Sequence, residues 1–257
     1  MSKRARWQAT VRYGPRCRLR GAPPLVCILL SYQRPQNMED LARGLLRCDF
    51  VTRVIVSNSS PETDIGDWVR FADPRLEVTN AGRHTPAGYR FELARGVDAA
   101  HYLFVDDDVF LRPRQVRKLY ARYLEDPSVP HGVFGHVHRR DGSGELEPEA
   151  RRRVEAPVDV LHQVYLLSRQ HVEGYFGLLG ELGFSSPEEL RFGDDIVLGF
   201  AGRRHPRCHD VGTIVLCPTA HDPDYATWKQ PGFSELRLEL LARARKLRPR
   251  PSLPPAA

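Results

Sequence analysis

Apolar positions fall along this chain in short blocks separated by polar stretches. Leu25–Leu30 reads L-V-C-I-L-L, an unbroken apolar run whose length suits a strand buried on both faces. Arg53–Ser57, Leu76–Thr79 and Tyr102–Val105 repeat the theme. Between the first two runs, Met38, Leu41, Leu45 and Leu46 recur at helical spacing, which predicts a helix over Asn37–Cys48 with Asn37 as its N-cap. Trp68, Val69 and Phe71 predict a short helix or turn, and Tyr89–Ala100 a second helix. Strands alternating with helices at this spacing imply βαβ units and a parallel sheet. Further on, Pro113 opens a helix running to Leu124. Strands are predicted at Val133–His138, with His136 and His138 on one side, at Leu161–Ser168 and at Val211–Leu216. Helices are predicted at His171–Gly183, in the second half of Arg191–Phe200, and over Ser234–Lys246. Residues 139–157 are rich in Gly, Pro and charge and read as a long mobile loop. Residues 1–22 are basic and unpatterned, expected to be loose or an added edge, and residues 247–257 form a Pro-rich tail expected to be disordered. A single α/β domain over residues 23–246 is the resulting layout.

Each of the first four strands runs into polar residues: Tyr32, Gln33 and Arg34, then Asn58 and Ser59, then Asn80 and Arg83, then Asp106, Asp107 and Asp108. In a parallel sheet these ends share one edge, where open α/β sheets bind ligands. The carboxylate triplet stands between apolar flanks, Y-L-F-V before and V-F-L after. Three adjacent negative charges in such a setting repel one another and call for a cation. Along an extended chain Asp106 and Asp108 point to the same side. Carboxylate oxygens suit Mg²⁺ or Mn²⁺, which complete their shells with phosphate oxygens and water.

Composition changes this picture little. With 41% hydrophobic and 27% charged residues the chain is an ordinary globular one, and no run approaches the roughly 20 apolar residues of a membrane span. The opening M-S-K-R-A-R-W-Q has no apolar stretch behind it, so no secretory signal is expected. Cys17, Cys27, Cys48, Cys208 and Cys217 follow no framework spacing, which points to reduced thiols and a cytoplasmic setting, with the inner membrane face as a peripheral option. Cys208, His209, Cys217 and His221 match no familiar zinc spacing. The net charge of +6 is concentrated in arginines at the two ends. Solvated tails are the first reading of them, and peripheral contact with an anionic membrane the second; nucleic acid is not expected.

In order, the chain presents a strand ending in V-D-D-D-V, a loop, G-D-D-I at a helix start (Gly193–Ile196) and a late His221. This set resembles the GT-A glycosyltransferases, notably family-2-type bacterial enzymes and the exostosin-like transferase domain, over roughly residues 24–230. The exostosin-like pattern has Glu where this chain has Asp194. The resemblance implies a Rossmann-like fold for nucleotide-diphospho-sugar transfer, with a mostly parallel central sheet. It implies Mn²⁺ or Mg²⁺ on Asp108 and His221, with Asp106 near ribose or sugar and Asp107 in support. Tyr32, Gln33 and Arg34 would hold the base, and Asn58, Arg90 and Asp194 would touch the donor; Lys229 reads as a solvated lysine. Asp195 would face the transferred sugar, either taking the acceptor's proton or stabilising positive charge at the anomeric carbon. The implied partners are a UDP- or GDP-sugar and a glycan, lipid-linked or small-molecule acceptor. Two other readings compete. A haloacid-dehalogenase-type phosphotransferase would use Asp106 as nucleophile, but its motif belongs to the first strand of the fold. A non-catalytic basic binding module leaves the buried acids unexplained.

Overall fold

The computed structural model describes residues 2–140 and 146–254. Its helices are Lys3–Tyr13 (α1), Met38–Leu46 (α2), Tyr89–Arg95 (α3), Pro113–Glu125 (α4), Arg169–Glu181 (α5), Asp194–Ala201 (α6) and Phe233–Leu247 (α7). The apolar runs become Leu25–Ser31 (β1), Val51–Asn58 (β2), Leu76–Asn80 (β3) and His101–Asp106 (β4), parallel neighbours in the order β3-β2-β1-β4. Short strands follow at Val109–Phe110 (β5), His131–Gly132 (β6), Phe134–Arg140 (β7), Leu146–Arg152 (β8), Ala156–Pro157 (β9) and Val160–Leu161 (β10). Val164–Ser168 (β11), Arg207–Cys208 (β12) and Val215–Leu216 (β13) complete the set. The large sheet continues from β4 through an antiparallel β11 to β6, β12 and β9. Beside it lie the antiparallel group β10-β7-β8 and the pair β13-β5.

Burial on both faces follows from alternation along each strand. Cys27 and Leu29 of β1, with Leu103 and Val105 of β4, point into a layer formed with α1, α2 and α4. Val26, Ile28, Tyr102 and Phe104 point the other way, against residues of α3, α5, α6 and α7. β1 and β4 therefore read as continuous apolar runs because a hydrophobic layer covers each face, whereas β3 is only half-buried.

Several expectations are corrected. Residues 3–13 are a helix, not a loose arm. Its apolar signal is small, since only Trp7 and Val11 are buried, four residues apart. Trp7 stacks on Phe110 with ring centroids 4.4 Å apart, and its indole N–H donates to the Leu111 carbonyl at 2.9 Å. Arg12 and Asp40 form an ion pair at 2.5 Å, and Val11 packs close against Gly44 of α2, where a side chain would crowd it. Residues 134–140 and 146–152 pair as an antiparallel hairpin rather than forming a mobile loop; residues 141–145 of that expected loop lie outside the described ones. The Val211–Leu216 strand shrinks to its last two residues, and the 89–100 helix stops at Arg95 before Gly96. The tail expected to be disordered lies along the body through residue 254: Arg250 donates to the Gly199 carbonyl at 2.7 Å, and the Pro251 carbonyl contacts His205 at 3.0 Å. Residues 255–257 lie outside the described ones. Among the described residues no helix is long and apolar enough to cross a membrane.

Histidines cluster where β7 meets the β10–β11 corner. The rings of His136 and His162 are 4.6 Å apart and His162 stacks on Phe134. Burial holds His162 down at about 3 and His138 at about 4. The neutral rings belong to the folded state, so their contribution is present above the ordinary histidine range near pH 6.5 and lost as the pH falls through it toward 4.

Two outcomes follow from the packing. Trp7→Ala should destabilise the protein by about 3–5 kcal/mol in urea or thermal denaturation, because it removes a buried aromatic and leaves the Leu111 carbonyl without its donor; an unchanged midpoint would mean that α1 contributes nothing to the core. The thermal midpoint should drop from pH 7 to pH 5, and His162→Leu should flatten that slope.

Candidate active site

The carboxyl ends of the parallel strands come together as expected. Leu30 stands in register with Asp106, Ser31 with Asn58, and Asn58 with Asn80. At Asp106 the strand ends, and Asp107 and Asp108 make a turn into β5. Alternation therefore stops at Asp106, and each acid meets a different environment. The turn is held from outside: the Asn37 amide donates to the Asp107 carbonyl at 2.8 Å, and the Cys217 N–H to the Asp108 carbonyl at 2.7 Å.

Asp107 is buried and ion-paired with Arg34, Nη1 to Oδ1 at 2.9 Å. Burial raises its pKa and Arg34 opposes the rise. Arg34 also donates from Nε to the Thr219 hydroxyl at 2.8 Å and from Nη2 to the Thr219 carbonyl at 3.0 Å, which pins the 218–221 turn over the acid. Asp106 is the most open of the three, and its Oδ1 meets Arg90 Nη1 at 2.8 Å. Arg90 is not a helix-surface charge. It is buried at the start of α3, with Nε 3.9 Å from Asp194 Oδ2 and its guanidinium 5.4 Å from the Tyr165 ring centroid. Asp108 is buried, and its Oδ1 accepts a hydrogen bond from the Gln163 amide at 3.2 Å. Burial, with Asp106 and Asp107 alongside, lifts its pKa to about 7.

The second acidic pair opens α6 across from the triplet. Gly193 precedes it with φ of 102°, a left-handed backbone that favours glycine, and any Cβ there would lie 2.5 Å from Leu240 Cδ2. Asp195 is clamped by Arg237 of α7 through two contacts, Nη1 to Oδ1 at 2.5 Å and Nη2 to Oδ2 at 2.8 Å. Burial works against ionisation, but Arg237 outweighs it and keeps the Asp195 carboxyl below the usual range. Asp194 has no such clamp. Its Oδ2 is buried without a hydrogen-bond partner, and burial, reinforced by Asp195 and Asp106 against Arg90, raises its pKa to about 6.

Counting charges decides what the site can hold. Five carboxylates meet three guanidiniums, each in close contact with one acid: Arg90 with Asp106, Arg34 with Asp107 and Arg237 with Asp195. Asp108 and Asp194 are left over, and they are the two carboxyls raised to about 7 and about 6. Five minus three leaves two negative charges, the amount a divalent cation supplies in return. Among the described residues no three His, Cys, Asp or Glu side chains form a ready cage. Mg²⁺ and Mn²⁺ need none, because one or two carboxylates and a substrate's phosphates suffice. The residues present fit such an ion.

The remaining expected site residues divide. Tyr32 and Gln33 are exposed on the loop after β1; Tyr32 stands edge-on to His84 at 4.6 Å, and its N–H reaches Asp107 Oδ2 at 3.5 Å. Asn58 is at the right edge but fully buried, with its amide donating to the Ser60 and Thr63 carbonyls and to Asn80. Its polar atoms fold the next loop. His221 is exposed at the end of the turn that Arg34 pins, edge-on to Trp228, and is not gathered with Asp108 into a ligand cluster. Lys229 sits over the Trp228 ring. Three residues escaped the sequence reading: Asn37, Gln163 and Arg237. Asn37, expected to cap the helix, makes no cap hydrogen bond; its amide holds the Asp107 turn while its oxygen accepts from Arg4 at 2.7 Å.

No family model and no curated protein sequence matches the chain. Among solved structures it is similar to the crystal structure of GalNAc-T7 with UDP, GalNAc and Mn²⁺, with a TM-score of 0.59 and 8% identity. The match covers 89% of this chain and 48% of that one, so the chain spans about half the length of that protein. At this identity the likeness shows the fold: a mixed α/β architecture of GT-A type around a large, mostly parallel central sheet.

Proposed function

We propose that this protein is a glycosyltransferase that moves a sugar from a nucleoside-diphosphate sugar to an acceptor hydroxyl with the aid of Mn²⁺ or Mg²⁺. One observation carries the reading: five carboxylates converge on the strand edge of a GT-A fold and, among the described residues, three arginines lie in close contact with them. UDP and Mn²⁺ in the GalNAc-T7 structure support a UDP-sugar as donor, with a GDP-sugar as the alternative.

Asp108 would hold the cation, which would supply neutralisation of the charge developing on the departing nucleoside diphosphate. Asp106, fixed by Arg90, presents an oxygen to ribose or sugar hydroxyls. Asp107 and Arg34 neutralise each other and hold the turn at 218–221; His221 at the end of that turn is the candidate second ligand. Tyr32 and Gln33, exposed beside Asp107, are placed to contact the base. Asp195, kept ionised by Arg237, supplies negative charge near the anomeric carbon. A carboxylate so clamped is a weak proton acceptor. Asp194, with one unpaired oxygen and a pKa near 6, is the better group to receive the acceptor's proton, because a base works best when its pKa lies near the operating pH.

Calorimetry with UDP in the presence of Mn²⁺ tests the donor site. Wild type should bind, and Asp108→Asn should abolish the metal-dependent part of the affinity; an unchanged affinity removes Asp108 from the metal site. A panel of UDP- and GDP-sugars then identifies the donor through slow hydrolysis or thermal stabilisation. Asp195→Asn should keep donor binding and cut turnover by about 10²-fold or more. Asp194→Asn should also cut turnover, and in addition erase a rise of activity with pH centred near 6. If that rise survives in Asp194→Asn, the proton acceptor is another group.

A further inference from the structure

Gln163 holds an unusual backbone in the middle of the acidic edge. Its φ is 66°, a left-handed value that glycine tolerates and a long side chain resists. The Val164 N–H donates to the His162 carbonyl at 2.8 Å, closing a three-residue γ-turn with Gln163 at its centre. γ-turns with positive φ at the centre are rare and strained. No glycine is used here, so the side chain itself has a purpose.

That purpose is visible in its contacts. The Gln163 carbonyl accepts from the Asp106 N–H at 2.9 Å, and the Gln163 amide donates to Asp108 Oδ1 at 3.2 Å. One residue of β11's approach thus straddles the triplet and ties both outer acids to a single anchor. Asp108 is the triplet carboxylate with no arginine in close contact, and the Gln163 amide is its side-chain donor. A neutral donor fixes the carboxylate's orientation without cancelling its charge, which a guanidinium would do.

We propose that Gln163 is a positioning residue for the divalent cation: its strained γ-turn aims one amide at Asp108, orienting the carboxylate while leaving its charge free for the metal. This rests on the reading of Asp108 as a metal ligand. Residues that orient a ligand commonly change metal affinity by 10–100-fold when removed. The strain is the cost of placing a side chain rather than a hydrogen atom at this turn; such outliers gather at functional sites.

Two variants separate the amide from the strain. Gln163→Ala and Gln163→Gly both lack the amide, but only glycine relieves the backbone. Free Mn²⁺ is followed by electron paramagnetic resonance during titration of the full chain, alone and with UDP, well below the thermal midpoint. Both variants should bind Mn²⁺ about tenfold more weakly than wild type. Gln163→Gly should melt about 3 °C above Gln163→Ala. Affinities within twofold of wild type in both variants overturn the positioning role. A glycine variant that melts no higher than the alanine one overturns the claim of strain. If wild type takes up no Mn²⁺ with or without UDP, the metal reading beneath it fails too, while the melting comparison still reports on the turn.

Discussion

A carboxylate removed from water without a counter-charge costs several kcal/mol, and this fold gathers four buried carboxylates and the half-buried Asp106 in one place. That cost organises much of what surrounds them. Arg34 reaches from the loop after β1 to Asp107 and in doing so binds the 218–221 turn. Arg90 turns inward from α3 to stand between Asp106 and Asp194. Arg237 comes from α7, near the end of the chain, to clamp Asp195. Three segments far apart in sequence are tied to one place because each supplies a guanidinium there. Removing any one leaves a buried charge unpaired, so these contacts are constraints on the fold as well as features of the site.

The balance also divides labour among chemically identical side chains. Asp107 and Asp195 are matched by arginines and are spent on holding shape and charge. Asp108 has an amide and Asp194 an unpaired oxygen, so their carboxyls stay responsive near neutral pH. On the proposed reading, the five aspartates would cover a metal ligand, a hydroxyl contact, a structural pair, a fixed charge and a proton acceptor. Environment sets these differences, with no change of residue type.

What the sequence made legible follows the range of the interactions. β1, β4 and the Val54–Val56 part of β2 were readable because a strand covered on both faces is written as a local apolar run. The triplet and Asp194-Asp195 were readable because adjacent acids next to apolar residues conflict locally and demand a partner. The partners themselves were partly hidden. Asn37 meets the triplet across 70 residues, Gln163 across 55, and Arg237 meets Asp195 across 42. No periodicity encodes such pairings, and Gln163 in particular sits in a plain apolar context, H-Q-V-Y-L, with nothing to mark a strained turn. The hairpin of β7 and β8 was misread for another reason. β8 is largely exposed, its Arg and Glu residues carry no hydrophobic alternation, and its pairing with β7 supplies the order. α1 likewise buries only two side chains, too few to register as a stripe.

The arginine-rich ends take on a different meaning in this light. As composition they read as solvated tails or as surfaces for an anionic partner. In the fold, many of these guanidiniums already have partners. Arg4 donates to Asn37, Arg12 pairs with Asp40, Arg237 with Asp195, Arg245 with Asp159, and Arg248 with Glu181, while Arg250 donates to the Gly199 carbonyl. Two of these six act on the acidic edge: Arg237 directly, and Arg4 through the Asn37 side chain that holds the Asp107 turn. A guanidinium can reach a carboxylate or a helix-end carbonyl over a long, partly apolar stem, which makes arginine suited to joining terminal helices to a sheet they do not extend. The basic residues at these positions therefore meet acceptors on the helices and loops that pack around the central sheet. Of the three arginines that meet the acids of the strand edge, only Arg237 comes from a chain end; Arg34 and Arg90 come from the loop after β1 and from α3.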